Sequence, residues 1–367
     1  MSQVYRVLLR TAVYTRAIHA RTILVSNPDT LVVGAGIAGL SCARTLVQAG
    51  ARVRVLERSQ GVGGRCATRR IDGQPVDHGL CFFHGSDPQF LAAVRAADPH
   101  PIEGWPRIVD GDGVPCLPRA FRRGESRLAL SSGVTAFPKS LAAGLDLQLG
   151  SDVTHVDFEA GLFTLKTSAG KRHRARHLVL TQPAPRLVEI LQRAAGSQLM
   201  IPADVQALLG GIGTKACLTV IAGYPLSTPQ PSWEMQFPTE AQPIHLISHD
   251  SSKRIAPTWR VFVMQALPCF SRQQLDVAPE VWSKQLLTGA ARSLGPWLAS
   301  PAWIQTQRWR HARLAGGGDL HGPLLVELPG GASLGIAGEA FAPGGGAEGA
   351  WLSGCAMAAR LIRREAA

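Results

Sequence analysis

Residues Thr30-Leu-Val-Val-Gly-Ala-Gly-Ile-Ala-Gly-Leu40, followed after a helical stretch by Arg52-Val-Arg-Val-Leu-Glu57, decide the fold. Thr30 to Val33 is a short apolar strand. Gly34, Gly36 and Gly39 fit the G-x-G-x-x-G turn: one glycine for the tight bend, one for close approach of a pyrophosphate, one for close helix packing. The spacing predicts a helix over about Ala38 to Ala49 that aims its positive N-terminal end at the phosphates, and Gly50 stops it. Arg52 to Leu56 alternates into a second strand. Glu57 closes that strand, roughly twenty residues after the turn, where an acid accepts hydrogen bonds from ribose hydroxyls and argues against a 2′-phosphate. Strand, helix, strand and acid in register predict a dinucleotide site.

Gly61-Val62-Gly63-Gly64-Arg65 lies just past Glu57. A second glycine turn followed by Arg brings a bidentate cation to a pyrophosphate. This stretch resembles the extended FAD motif of the monoamine-oxidase-like flavoproteins. The segment Gly64-Arg65-Cys66-Ala67-Thr68-Arg69-Arg70, with Val76-Asp77-His78-Gly79-Leu80-Cys81-Phe82-Phe83, resembles the bacterial-type renalase family more closely. Further matches follow in that family's order: Trp105-Pro106, Thr181-Gln182-Pro183-Ala184-Pro185, Ser251-Ser252-Lys253, Arg308 to Arg313, and Glu348 to Gly354. Departures are Cys81 and Phe82 where the family has Gln and Tyr, Ser132-Gly133-Val134 for Pro-Gly-Met, and Glu339 for Asp.

The resemblance implies an α/β protein. A Rossmann-type FAD-binding domain of glutathione-reductase-like topology would carry an inserted α+β substrate domain built on an antiparallel sheet. The expected boundaries are 29–85, 125–190 and 310–367 for the discontinuous FAD domain, and 86–124 with 191–309 for the substrate domain. FAD is expected noncovalently, lined by Gly34, Gly36, Ala38, Gly39, Glu57, Arg58, Gly64, Arg65, Gly338, Glu339, Glu348, Gly349 and Ala350. The helix over about Ala347 to Arg364 would start at the pyrimidine edge of the flavin, its positive end tuning the cofactor.

The family's activity implies oxidation of a dihydronicotinamide (an NAD(P)H isomer) by hydride transfer to the flavin, with O2 as acceptor and H2O2 as product. Arg308, Arg310 and Lys253 are candidates for the anionic pyrophosphate of such a substrate. Pocket candidates are His78, Phe83, Trp105, Trp309, His311 and Trp351; Cys81 reads as a small apolar filler or a redox-active thiol. A flavin amine oxidase is the alternative, with Trp309 and Trp351 as its aromatic cage. A non-catalytic flavin-binding protein is a further one.

Composition narrows these readings. The chain of 367 residues is long enough for about two domains with substantial cores. No apolar run approaches the length of a transmembrane span. Seven cysteines without C-x-x-C or a pairing with His read as reduced thiols, argue against a metal, and suit a cytoplasmic protein. Of the formal charge of +12, four units sit in residues 1–28, at Arg6, Arg10, Arg16 and Arg21, with no acid before Asp29. Such a leader reads as a disordered extension or an organelle transit peptide, the latter implying an organellar location. The basic run Lys171 to His177 lacks interleaved aromatics and reads as a solvated hairpin strand rather than a nucleic-acid surface.

Between 140 and 336 the pattern predicts a short helix over Ser140 to Leu145 and a hairpin of Asp152 to Phe158 with Gly161 to Lys166. A central strand is expected at Leu178 to Leu180. Further β segments are Cys217 to Ala222, Ile244 to Ser248, Trp259 to Ala266 and Ile304 to Trp309, with a helix over Val277 to Leu294.

Overall fold

The computed structural model describes residues 28–118, 121–194, 199–238, 243–316 and 320–366. The Arg-rich leader therefore lies, save for Pro28, outside the described residues.

The opening crossover forms as its residues dictate. Strand Thr30–Val33 leads into helix Ile37–Gln48, and strand Val53–Leu56 returns parallel to the first, Thr30 opposite Val53. Gly50, at φ 91°, supplies the left-handed turn that ends the helix. These strands sit in a six-stranded sheet of order Leu324–Glu327, Ser333–Ile336, His177–Leu180, Thr30–Val33, Val53–Leu56, Asp146–Gln148. Neighbours run parallel except the first pair, which is antiparallel.

Side chains alternate across this sheet. Val32, Val55 and Val179 pack on one face against Leu40, Leu46, Phe137 and Met357, from helices Ile37–Gln48, Ala136–Ala142 and Gly346–Glu365. Leu31, Val33, Leu178, Leu180 and Ile336 pack on the other against Val156, Phe158, Phe163 and Leu165 of a three-stranded antiparallel meander, and against Leu187 and Ile190. The basic run falls largely in the meander's third strand, Arg172–Ala175, mostly solvent-facing as expected. The short helix forms at Ala136–Ala142 rather than Ser140 to Leu145. Pro138 falls in its first turn, where a missing N–H costs nothing, and Gly144 at φ 77° ends it.

A second six-stranded sheet has the order Trp303–Leu314, Thr214–Tyr224, Arg260–Ala266, Ile244–His249, Met235–Gln236, Ile108–Val109. Its pairs are antiparallel save the last. Leu218, Val220, Ala222, Phe262 and Met264 pack on one face against Trp282, Leu286 and Ala290 of helix Pro279–Leu294. The opposite face turns towards the segment 68–83 that follows the second glycine turn: Val261, Val263 and Ile221 meet Ile71 and Val76.

Residues 86–124, expected in the substrate domain, divide between the two bodies. Helix Pro88–Ala96 buries Phe90, Leu91 and Val94 in the core of the parallel-sheet domain, because their i, i+4 spacing forms one apolar face. Pro101–Glu103 pairs with Ser126–Leu130, and among the described residues of this stretch Ile108–Val109 joins the second sheet.

Candidate functional site

The two glycine turns interlock. The Gly63 N–H donates to Ala35 O at 2.8 Å, and a Cβ built on Gly64 would lie 3.7 Å from Gly36 Cα. Gly39 packs so tightly that a Cβ there would lie 2.0 Å from Gly34 O, whereas one on Gly36 would meet nothing within 4 Å. The space beside Gly36 is the space a pyrophosphate needs. Helix Ile37–Gln48 has Gly36 as its N-cap with no side-chain cap, so its first amides are left for an anion. Ala38 is buried in that first turn.

Glu57 is buried at the end of the second strand. Its Oε2 accepts from the Ala35 N–H at 2.7 Å and its Oε1 from the Ser59 N–H at 2.8 Å. A carboxylate has about four acceptor sites, so two bonds to the loops leave capacity for ribose hydroxyls. Arg58 beside it is exposed. These features fit an FAD adenosine diphosphate moiety.

Further along, Arg65 forms a salt bridge with Glu339, and its Nη1 donates to Ala312 O at 3.3 Å. Gly338 precedes Glu339 and donates its N–H to Ser353 Oγ at 3.1 Å, fastening the Arg65 partner to the C-terminal helix. Gly349 and Ala350 lie in that helix, whose N-cap is Gly345.

Glu348 lies in the first turn of that helix. Its Oε1 accepts from the N–H groups of Ser86 (2.7 Å) and Asp87 (2.5 Å), holding the turn into helix Pro88–Ala96. Bare Gly85 admits it, since a Cβ there would lie 2.4 Å from Glu348 Oε1.

The pocket candidates separate into wall and core. His78 stacks on Trp309, centroids 5.5 Å apart and planes 20° off parallel, while Trp309 Nε1 donates to His78 O at 3.1 Å. His78 Nδ1 is buried with no hydrogen-bond partner among the described residues. Burial, with the nearby Arg69 guanidinium, pushes the His78 pKa down to about 4, so the imidazole is neutral. Arg69 donates to Gln305 at 2.8 Å and Gln307 at 3.0 Å, both on the strand that carries Trp309.

His311 Nδ1 lies 2.8 Å from Thr214 Oγ1, and its pKa is held down by burial and by Arg58. Phe83 is core: it is fully buried, perpendicular to Phe90 and Phe137. Trp351 packs 6.0 Å from Phe90 beside that core and not against Trp309. Trp105 is buried, donating to Ser252 Oγ at 3.0 Å, with Lys253 Nζ 4.7 Å from its ring centre.

The cations expected to meet an anionic substrate do not face the site. Lys253 is fully buried, paired with Asp77 at 2.6 Å and Asp250 at 2.8 Å. Arg254 completes the quartet at 3.0 Å from Asp77 and 2.8 Å from Asp250. Burial alone raises a carboxyl pKa, but Lys253 and Arg254 outweigh it and hold Asp77 down at about 2. Arg308 donates to Val277 O at 2.5 Å and Arg310 pairs with Asp276 at 2.8 Å, so both turn away from Trp309, as alternate residues of one strand must. Cys81 is buried against Gly79 and Gln265, and burial pushes its thiol up to about 12, which keeps it protonated.

Sequence reasoning missed the polar residues that face inward from the second sheet: Gln265, Gln305, Gln307 and Arg313. Gln265 Nε2 donates to Gly79 O at 2.6 Å and its Oε1 accepts from Arg313. Polar residues breaking an otherwise apolar strand, as Gln265 does after Val261-Phe262-Val263-Met264, are the signal that could have found them.

Comparison with known proteins agrees with this geometry. Residues 32–97 match the NAD(P)-binding Rossmann-like domain, and residues 113–362, more than half the chain, match the flavin containing amine oxidoreductases. The chain is 39% identical to putrescine oxidase of Kocuria rosea over 94 residues, 26% of this chain and 19% of that protein. It is 44% identical to probable polyamine oxidase 4 of Arabidopsis thaliana over 69 residues, 18% of this chain and 14% of that protein. These alignments span a fifth or less of either relative's length.

A solved putrescine oxidase superposes with a TM-score of 0.70 at 15% identity, covering 92% of this chain and 99% of that one. Cyclohexylamine oxidase from Brevibacterium oxydans superposes at 0.65 and 16% identity, covering 93% and 100%. These likenesses concern the fold. The glycine cradle, the acid at its edge and the family match together make this chain a member of the flavin containing amine oxidoreductases, an oxidoreductase whose cofactor is FAD.

Proposed function

We propose that this protein oxidises an amine by removing hydride from the carbon bonded to nitrogen. A bound FAD would supply the two-electron acceptor for this oxidation, with O2 as the terminal acceptor and H2O2 as the product. The observation that carries the reading is the stacked His78–Trp309 pair, beside Gly79, where a Cβ would lie 2.2 Å from Arg65 O and 3.2 Å from Trp309 Cζ2, with Arg69 bonded to the strand that carries Trp309. Hydride leaves readily only from the free amine, because an ammonium has no lone pair to support the developing cation. A wall that excludes water and a neighbouring guanidinium both lower an amine's pKa. The neutral imidazole and the indole supply the dry wall, and Arg69 supplies the like charge.

A dihydronicotinamide dinucleotide is the second reading, favoured by the renalase-like run from Gly64 to Phe83. Such a substrate has no proton to lose first.

Anaerobic mixing of the yellow holoprotein with primary amines, diamines and dihydronicotinamide isomers distinguishes the two. Bleaching by an amine, with colour and peroxide returning in air, supports the first. Bleaching by dihydronicotinamides alone replaces it with the second.

A further inference from the structure

Arg313 and Lys215 face each other directly across the antiparallel pair Trp303–Leu314 and Thr214–Tyr224. Like charges placed opposite on a ladder repel. Arg313 uses one nitrogen on Gln265 and its guanidinium lies against the Cys217 thiol, a weak acceptor, while its Nη1 is buried with no oxygen or nitrogen acceptor among the described residues. A guanidinium nitrogen kept from water and left without a strong acceptor is costly, and the cost falls when an anion arrives. Asp77 and Asp250, the buried carboxylates of this region, are each engaged by Lys253 and Arg254.

His245 lies in the field of Arg313 and Lys215. It is neutral through burial and through those two charges, and its ring is perpendicular to Phe237 at 5.5 Å. Phe121 continues this apolar side, 6.5 Å from Phe237 and 5.5 Å from Phe82. Through Gln265, Arg313 is tied to Gly79, the residue after His78. The cationic corner and the stacked wall therefore belong to one face.

We propose that Arg313, with Lys215 opposite it, is a specificity-determining anion site that receives a carboxylate or phosphate carried by the substrate. Resting on the amine reading above, the substrate is then an amine that also bears an anion. A simple diamine would set its second ammonium against two cations.

The test is calorimetric titration of the holoprotein with benzoate and, separately, with inorganic phosphate, alongside the flavin difference spectrum. Saturable binding of one of these probes is expected, and the probe that binds distinguishes carboxylate from phosphate. Arg313→Gln and Lys215→Gln are expected to weaken it roughly tenfold or more, with bound FAD unchanged and the melting temperature of the folded variants not lowered. Lys215 is exposed, so its variant is informative even where Arg313→Gln fails to fold. Absence of saturable binding by either probe, or unchanged affinity in a folded Arg313→Gln or in Lys215→Gln, overturns the proposal. The readout needs no turnover, so it stands or falls separately from amine oxidation.

Discussion

Gly64 faces Gly36 across the phosphate cradle, close enough that a Cβ on Gly64 would lie 3.7 Å from Gly36 Cα. Two turns separated by some thirty residues thus make one anion-binding concavity. Neither glycine is interchangeable with Gly39, whose role is helix packing.

This difference predicts two phenotypes. Gly39→Ala drives a Cβ against Gly34 O and is expected to destabilise the fold itself by about 1–3 kcal/mol. Gly36→Ala meets no protein atom, so its stability without flavin is expected to stay within about 1 kcal/mol of the parent, while FAD is lost. Denaturant melts and the flavin-to-protein absorbance ratio of the two variants check the contrast. A Gly36→Ala protein with full flavin would show that the pyrophosphate lies elsewhere.

The Asp77–Lys253–Arg254–Asp250 quartet joins the segment after the second glycine turn to the second sheet without exposure to water. Asp77→Asn leaves two buried cations facing one carboxylate and is expected to cost about 3–5 kcal/mol. Since the folded-state pKa of Asp77 is depressed to about 2, its contribution is fully present above the ordinary carboxylate value and is lost as pH falls from there towards 2. Urea denaturation of parent and variant at neutral and acid pH measures both effects.

Three imidazoles, His78, His245 and His249, are each held down from 6.5 to about 4, burial being the largest cause. A depressed histidine favours the fold while the unfolded chain is also neutral. That stability is present above pH 6.5 and declines as pH falls towards 4, because the unfolded state then takes up protons that the fold refuses. His249 stacks on Phe262 at 4.8 Å and 16°, away from the proposed pocket, so His249→Phe isolates the effect. Its melting temperature should vary less between pH 7 and pH 5 than the parent's; an identical slope would contradict the assignment.

Trp309→Ala removes the ring that covers His78 and the N–H that fixes His78 O. Loss of positioning of this kind is expected to lower kcat roughly a hundredfold. Trp309→Phe keeps a stacked ring without the N–H and should recover part of it. Steady-state peroxide release on the best amine, with FAD content measured in parallel, tests this. Equal kcat in all three proteins would remove the stacked pair from the site.

Much of the chain was legible without coordinates. The residues from Thr30 to Glu57 determined the crossover, because apolar periodicity, a left-handed glycine and a terminal acid are demands met within one short stretch. The second glycine turn and its Arg were equally plain. Four of the six strands of the second sheet and the C-terminal helix were read for the same reason, though the strand from Trp303 runs on to Leu314, and the two-residue strands Ile108–Val109 and Met235–Gln236 and the bounds of the short helix near residue 140 were not.

Which side chains face the site was decided only by tertiary structure. Arg308 and Arg310 point away from Trp309 by simple strand alternation. Arg313 shares the parity of Trp309 and lies past an irregularity in which four steps of its own strand, Trp309 to Arg313, oppose two of the partner, Cys217 to Lys215; its contact with Gln265 is set by the neighbouring strands. Lys253 became a buried counter-ion because folding brought Asp77 to it across 176 residues of chain. Local sequence sets period and turn chemistry, while the partner of a charge is chosen by long-range packing, where the cost of burying an unpaired ion outweighs any local preference.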